Sequence, residues 1–505
     1  MRFTYTMRDT VFLSVKENVP ADSYWDMSLL KELLSSTNFH YEIGNLKEAI
    51  VIIPGANQGD KINEINKELS KLDRCKVIIT SDEENKFPID ELKHTHMQIY
   101  ANYLTDKYNS NIRWLPIGPA KFPKLEYEEK THDWFFAGQV THDSRRKLAK
   151  VLSGLNNGEL LTTKGFAQGY SQDEYYKKMA KAKSVPAPRG AVSPDSFRFY
   201  EALELGAVPI TEDEKFWHSL FDDFTIPIVS DWSDLPKHIE KIANDVEYRN
   251  ECVAWWIRKK VEIKEELLGL SSDAVIVVPV SAIKSHPSTE IIDETIASIR
   301  HHFPNEKIIV TLDGVREEYK HRYDDYQEFI ARFLRKYSNS NVYPLIFNNH
   351  THQVGMMRQA MKYIKEKFIV YVEQDTPFTK DTIDWQGCKS SLDIVDLIRF
   401  HFETRTPQPH QHMMRGLIEN VDTRLIRTVQ WSQRPHIAKK DFYEVVLHNF
   451  SDNAVSFIED KMHSVAQEYP NHYRLAIYSP KGSIKRTYHT DGRAGENKYD
   501  DRQIF

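Results

Sequence analysis

The sequence predicts an α/β protein assembled from several Rossmann-like layers. Strand-like β-branched runs alternate with amphipathic helical stretches along the whole chain, the pattern of layered α/β folds. Hydrophobic residues make up 40% of the chain and aromatics 12%, too rich for disorder. At 505 residues the chain has room for about two to four domains, each with its own core.

In the first stretch, residues 49–54 (AIVIIP) and 76–80 (KVIIT) read as buried strands, with 62–72 as the crossover helix between them. Residues 112–118 (IRWLPIG) close this unit, and the Pro-, Glu- and Lys-rich stretch 119–130 is a connection. A second unit opens on the strand 133–137 (DWFFA), continues through Gly138 and a basic helix from about Ser144, and runs to the charged helix Val246–Leu268. A third begins after Gly269: strand Ala274–Val280, helix 289–302, strand 307–312 ending in Asp313-Gly314, strand 342–347, helix 354–367 and buried strand 368–372. Beyond Glu373 the pattern turns irregular, with many His, Arg and Trp residues. These shifts divide the chain at 1–128, 129–270 and 271–505.

Charge and cysteine usage exclude several classes. Lys and Arg number 67 against 73 Asp and Glu, a net charge of −6, which argues against a broad basic surface for nucleic acid. Cys75, Cys252 and Cys388 are scattered without a CxxC, so neither a disulfide framework nor a zinc ribbon is indicated. No GxGxxG or P-loop is present. With no long apolar run and no secretory-type leader pattern, the expectation is a cytoplasmic protein without a transmembrane segment.

The first chemical constellation is PAPRGAVSPDSFRFYEALELGAVPI, residues 186–210. Ser193 followed by Pro194 reads as an N-cap and first-turn proline, and Gly206 as the helix stop before a strand. A helix N-terminus beside a Gly-containing turn gathers unpaired N–H groups that hold phosphate. Ser196 lies at that turn, and Arg189 and Arg198 add bidentate donors for a diphosphate. Glu201, one turn on, is placed to accept from ribose hydroxyls.

This segment resembles the exostosin-like glycosyltransferases, whose nucleotide-binding half carries a similar PRG…DSFRFYEAL signature. The resemblance implies a GT-B-like pair of Rossmann-like halves with nucleotide-sugar between them, residues 1–128 forming the acceptor side. FFAG at 135–138 with Arg145 and Arg146 looks like the first strand and turn of the nucleotide-binding half. Many retaining members carry an acidic residue eight positions before the one matching Glu201. Ser193 stands there, so the stereochemical outcome stays open. His40, Asp82 and Glu83 are the candidates for a base from the first half.

The second constellation follows the strand FIVYV. Glu373 and Asp375, at i and i+2 on a strand end, face the same way and suit Mg²⁺ or Mn²⁺ with the diphosphate it neutralises. Arg358, in GMMRQAM, is expected to face the same strand end. The order of elements resembles the GT-A glycosyltransferases, in which an acidic motif ending a central strand binds metal and nucleotide-sugar. By that resemblance Asp313 touches base or ribose, and His489 supplies a third metal ligand with Asp491 and Arg493 nearby. FIEDK at 457–461 looks like the helix-opening acidic pair of inverting members, with Asp460 the first choice for general base and Glu459 the second.

His401, His410, His412 and His436 do not complete a tetrahedral zinc set, since PQPHQH reads as a loop. Residues 431–436 (WSQRPH) read as the wall of an acceptor pocket. The expected function is a bifunctional glycosyltransferase using nucleoside-diphosphate sugars, with Mn²⁺ or Mg²⁺ in the C-terminal domain and a glycan or glycolipid acceptor. Two alternatives accompany it: a virus-encoded enzyme acting on hydroxymethylated bases in DNA, and one active domain with the other serving as a binding module.

Overall fold

A computed structural model describes residues 6–15, 20–103, 111–165, 168–190, 193–269, 272–406, 408–420 and 423–490. The chain divides into two compact units, 1–271 with 334–339, and 272–333 with 340–505. Among the described residues no helix is long and apolar enough to cross a membrane. The protein is mixed α/β, with parallel Rossmann-like sheets.

The first unit holds two parallel sheets. Strands β1 (Asp9–Phe12), β2 (Asn38–His40), β3 (Glu48–Pro54), β4 (Arg74–Thr80), β5 (Met97–Ala101) and β6 (Ile112–Trp114) lie in the order β2-β1-β3-β4-β5-β6. β3 and β4 are buried along almost their whole length, which is why they read as unbroken apolar runs. The crossover Ile62–Leu69 buries Ile62, Ile65 and Leu69, one stripe of a helix. The last strand is shorter than its sequence suggests, because Pro116 has no N–H for a ladder and Gly118 takes a φ of +71°.

The second sheet comprises β7 (His132–Gln139), β8 (Gly158–Thr163), β9 (Ala182–Pro186), β10 (Val208–Glu212) and β11 (Ile228–Val229), in the order β11-β10-β9-β7-β8 and again all parallel. Apolar side chains of both sheets share one cluster, in which Phe12, Ile50 and Tyr100 join Phe136, Phe199, Trp217 and Trp255. Helix Val246–Leu268 is capped at one end by Asp245, which accepts from Tyr248 N at 2.9 Å, and ends at Gly269 with φ +64°. Its buried face carries Trp255, Trp256 and, unusually, Lys260. The Lys260 ammonium is neutralised by Glu204, which also accepts from Trp256 Nε1 at 2.7 Å.

The second unit is a nine-stranded mixed sheet. Strands β12 (Ala274–Val280), β13 (Ile308–Leu312), β14 (Val342–Ile346) and β15 (Phe368–Tyr371) are parallel in the order β14-β13-β12-β15. Strands β16 (Leu397–Arg399), β17 (Met414–Asn420), β18 (Thr423–Thr428), β19 (His436–Lys439) and β20 (Leu475–Tyr478) continue it as β15-β19-β16-β20-β18-β17. The stretch that looks irregular in sequence therefore contributes five strands. Its segment 486–490 lies along 375–379, with Thr379 N bonded to Arg486 O, Tyr488 N to Pro377 O and Thr490 N to Asp375 O.

Strand order fixes where a ligand can sit. In the four parallel strands the chain builds outward from β12 on one side and then returns to its other side as β15. The crevice beyond the carboxyl ends of β12 and β15 is the topological switch point. In the second sheet the corresponding crevice lies beyond β7 and β9.

Replacing Lys260 by Met leaves the Glu204 carboxylate buried without its cation. The expected loss is about 3–5 kcal/mol in the unfolding free energy of the first unit, measured by urea denaturation followed by tryptophan fluorescence. The pair Glu204→Leu with Lys260→Met is expected to recover most of it.

Candidate active site

At the end of β13, the Asp313 carboxylate is 1% exposed, gathers three main-chain donors and has one imidazole nitrogen close by. Oδ1 accepts from Gly314 N at 2.9 Å and Thr351 N at 2.7 Å, while Oδ2 accepts from His352 N at 3.0 Å and faces His350 Nδ1 at 2.8 Å. Burial raises its pKa and these hydrogen bonds oppose the rise. The chain closes over it because residue 314 is glycine: a Cβ there would lie 2.3 Å from Asn349 C and 2.5 Å from His350 N. Asp313 thus fastens the start of helix His352–Met361 through three main-chain N–H groups.

That helix delivers Gln353. Its Nε2 donates to Glu373 Oε1 at 2.9 Å, and its Oε1 accepts from Ile458 N, the first residue of helix Ile458–Glu468, at 3.2 Å. A second strut joins Val354 N to Ser456 O at 3.3 Å. Glu373 and Asp375 follow β15, the former half-buried and the latter buried. They share an open cleft of about 470 Å³, counted out to solvent, with Ser281, Asp313, Arg316, His352, Gln353 and Phe457. Arg316 donates to His352 Nε2 at 3.0 Å, and the His352 ring meets Phe457 edge-on at 3.9 Å. The cleft sits at the β12/β15 switch point, where the strand order directs it.

Behind Glu373 lies a network of alternating charge. Glu459 Oε2 accepts from Gln433 N at 2.8 Å. Burial pushes the Arg434 guanidinium down to about 10, against the attraction of Glu403, Glu459 and Glu373. Arg399 is pushed to about 9, first by burial and then by Arg434, against Glu459 and Glu403. The Arg434 guanidinium lies 3.6 Å over the Phe402 ring, a cation–π contact that fixes its plane. Glu459 is therefore the member of the acidic pair that faces this network, whereas Asp460 is exposed. The helix turns Asp460, the first choice from sequence, away by about 100° from its neighbour and toward solvent.

Other expectations need correction. Arg358 does not face the strand end: it donates to Ser451 O, Asp452 O, Leu447 O and Phe450 O at 2.6–3.2 Å, capping the end of helix Lys440–Leu447. The His489 ring packs edge-on to Phe402 at 5.5 Å, while its neighbour Thr490 bonds the Asp375 carbonyl. Among the described residues no three His, Cys, Asp or Glu side chains converge as a metal cage. What the cleft offers a cation is the pair Glu373 and Asp375, and that donor set suits Mg²⁺ or Mn²⁺ completed by phosphate and water. Asp491 and Arg493 lie outside the described residues. His401 and His436 are buried in the sheet, His436 between Arg434 O at 2.7 Å and Tyr443 Oη at 2.5 Å.

In the first unit the predicted residues gather beyond β7 and β9. Arg145 donates to Gln139 O and Arg189 O, and Arg189 N donates to Glu212 Oε1. Arg198 donates to Ala137 O and lies over the Phe136 ring. The helix begins at Phe197 with Ser196 as N-cap, and Ser193 instead accepts from Asp195 N in a local turn. Among the described residues Ser196 Oγ, Arg145 Nε and Arg198 Nε are buried without hydrogen-bond partners. Glu201 is buried rather than open to a ribose. It accepts from Tyr176 Oη at 3.1 Å, and burial raises its pKa. Of the proposed bases, His40 pairs with Asp9, and Asp82 holds the turn through Lys86 N and Phe87 N. Glu83 alone of the three approaches the PRG loop, 3.7 Å from where a Cβ of Gly190 would lie.

Sequence reasoning missed Gln353, Arg316, His352, Phe402, Glu403 and Arg399. For Arg399 and Glu403 a signal existed: charges embedded in the apolar run LIRFHFE. Gln353 carries none, since a glutamine in a helical stretch reads as surface.

No family model matches the chain, and no curated protein matches it either. Among solved structures, S. aureus TarS is similar at 14% identity and TM-score 0.30, over 46% of this chain and 38% of that one. A TarS 1-349 structure in complex with UDP-GlcNAc gives 16% identity and TM-score 0.30, over 45% and 60%. The mannosyltransferase PcManGT from Pyrobaculum calidifontis, in complex with GDP-Man and Mn²⁺, gives 11% and 0.29, over 42% and 56%. The chain thus spans less than two thirds of the length of each.

Two outcomes are expected. Gly314→Ala forces residues 349–350 away from Asp313 and is expected to lower the unfolding free energy of the second unit by about 1–3 kcal/mol, measured by urea denaturation. Burial also keeps His286 and His401 neutral down to about 3 and His352 and His436 to about 4. Each takes up a proton near 6.5 in the unfolded chain, so their stabilisation is present above that pH and is lost as pH falls toward 4. The second unit should therefore show an unfolding midpoint that drops steadily from pH 6.5 to 4, with a shallower slope in His286→Phe.

Proposed function

We propose that the second unit is a GT-A-like glycosyltransferase that moves a sugar from a nucleoside-diphosphate donor to an acceptor hydroxyl. One observation carries the reading: at the β12/β15 switch point, Gln353 ties the metal-type carboxylate Glu373 to the helix that presents Glu459. Diphosphate chemistry needs a cation site, and acceptor activation needs a carboxylate base a short distance away. Glu373 and Asp375 would hold Mn²⁺ or Mg²⁺, which when bound neutralises charge on the diphosphate. Glu459 takes the proton of the acceptor hydroxyl as its oxygen bonds to the anomeric carbon and the bond to the diphosphate breaks. The Arg434 and Arg399 guanidiniums lie close enough to feel the charge of Glu459 and bound the side of the cleft on which it sits. The residues 431–436 serve as acceptor wall through Arg434 and the ring it covers.

The first unit is proposed to be a GT-B-like pair that takes a nucleotide-sugar beyond β7 and β9, which would make the chain bifunctional. Support comes from three arginines and an unsatisfied N-cap hydroxyl at one switch point. The acceptor proposed for the whole is a glycan or glycolipid precursor.

Donor turnover across a panel of nucleotide-sugars, read as released nucleotide with and without Mn²⁺, tests this. Glu459→Gln is expected to lower kcat by about 10²–10⁴ with donor affinity nearly unchanged. Asp375→Asn should abolish only the chelator-sensitive activity and Arg198→Ala only the chelator-insensitive one. Absence of nucleotide binding by both units would overturn the glycosyltransferase reading.

A further inference from the structure

We infer that Gln353 is a positioning residue that sets the cation affinity of this site by holding Glu373 against the helix carrying Glu459; the inference rests on the transferase reading above. Gln353 is 7% exposed, and its amide is used at both ends. Because its Oε1 is occupied by Ile458 N, its Nε2 is turned toward Glu373 and donates at 2.9 Å. No other side chain of this length both accepts from a main-chain N–H and donates to a carboxylate without adding charge: glutamate cannot donate when ionised, and methionine does neither.

The backbone of Gln353 has little freedom. His352 before it is held in the left-handed region at φ +61°, its N–H bonded to Asp313, and Val354 after it bonds to Ser456 O. The strut is therefore rigid at its base and specific at its tip. Glu373 keeps one oxygen on this amide, which orients the carboxylate before any cation arrives, and the same amide fixes the start of the general-base helix. A group that orients a ligating carboxylate in this way typically changes metal affinity or activity by about 10–100-fold when removed.

The test uses the full chain and Mn²⁺ alone as the probe, followed by electron paramagnetic resonance of free Mn²⁺, then repeated with UDP and with GDP. Gln353→Met keeps the volume and removes both hydrogen bonds; Gln353→Asn keeps the amide but is one methylene short of spanning. Thermal unfolding and circular dichroism report the fold of each. Expected is a weakening of Mn²⁺ binding of at least tenfold in either folded variant, together with a raised Mn²⁺ requirement for turnover that saturating Mn²⁺ only partly restores. Wild-type-like Mn²⁺ binding in both variants, with binding lost in Glu373→Gln, would overturn the inference and leave the site intact. Loss of the fold in both would equally overturn it, by making Gln353 a packing residue. No Mn²⁺ binding by wild type, with or without nucleotide, would instead defeat the cation-site reading on which the inference stands.

Discussion

A buried carboxylate with three main-chain donors around it organises the second unit. Asp313 ends β13 and draws the N–H groups of Gly314, Thr351 and His352 onto itself. An ionised group inside a protein persists only when such donors replace its water. The consequence is geometric: the helix His352–Met361 must start at one place and in one direction. That helix carries Gln353, and Glu373 and the helix Ile458–Glu468 are each tied by a hydrogen bond to the Gln353 amide.

The electrostatics of the rest of the site follow from burying several charges together. Arg399 and Arg434 are lowered by burial, and each is countered by carboxylates drawn from different parts of the chain. Three glutamates, 373, 403 and 459, share those two cations. Such a network is costly to bury, and removing any one member leaves its partners as uncompensated buried charges. The buried neutral histidines around it have the same origin, since desolvation, reinforced by the nearby guanidiniums, outweighs the main-chain hydrogen bonds that favour the charged form.

The first unit solves a similar problem differently. Its arginines donate to main-chain carbonyls at the ends of β7 and β9, which fixes the guanidiniums in place while leaving Nε groups of Arg145 and Arg198 without partners among the described residues. Glu201, by contrast, has turned inward to Tyr176. The sequence reading expects a ligand-facing residue there, but its side chain serves the interior.

Much of the scaffold is legible in the sequence, because burial on both faces forces parallel strands into unbroken apolar runs. Helix Val246–Leu268 and strand β12 stand where periodicity places them, and β3, β4, β13 and β15 differ by one or two residues at an end. The five strands after Glu373 are not legible: β17 and β18 are partly open to water and mix polar with apolar residues, while β16, β19 and β20 are buried but only three or four residues long, with Arg399 and His436 among them. The carboxylates Asp313, Glu373, Asp375 and Glu459 are likewise recognisable as residues at element ends. What they do is decided by the fold. Local pattern places a side chain on an element, but it does not say which distant main-chain groups will claim it. The sequence by itself determined the layered α/β class and the acidic residues available for chemistry. Only the tertiary structure decided that Arg358 caps a helix, that Glu459 rather than Asp460 faces the charge network, and that Gln353 joins them, because each outcome depends on partners about 20 to 100 residues away.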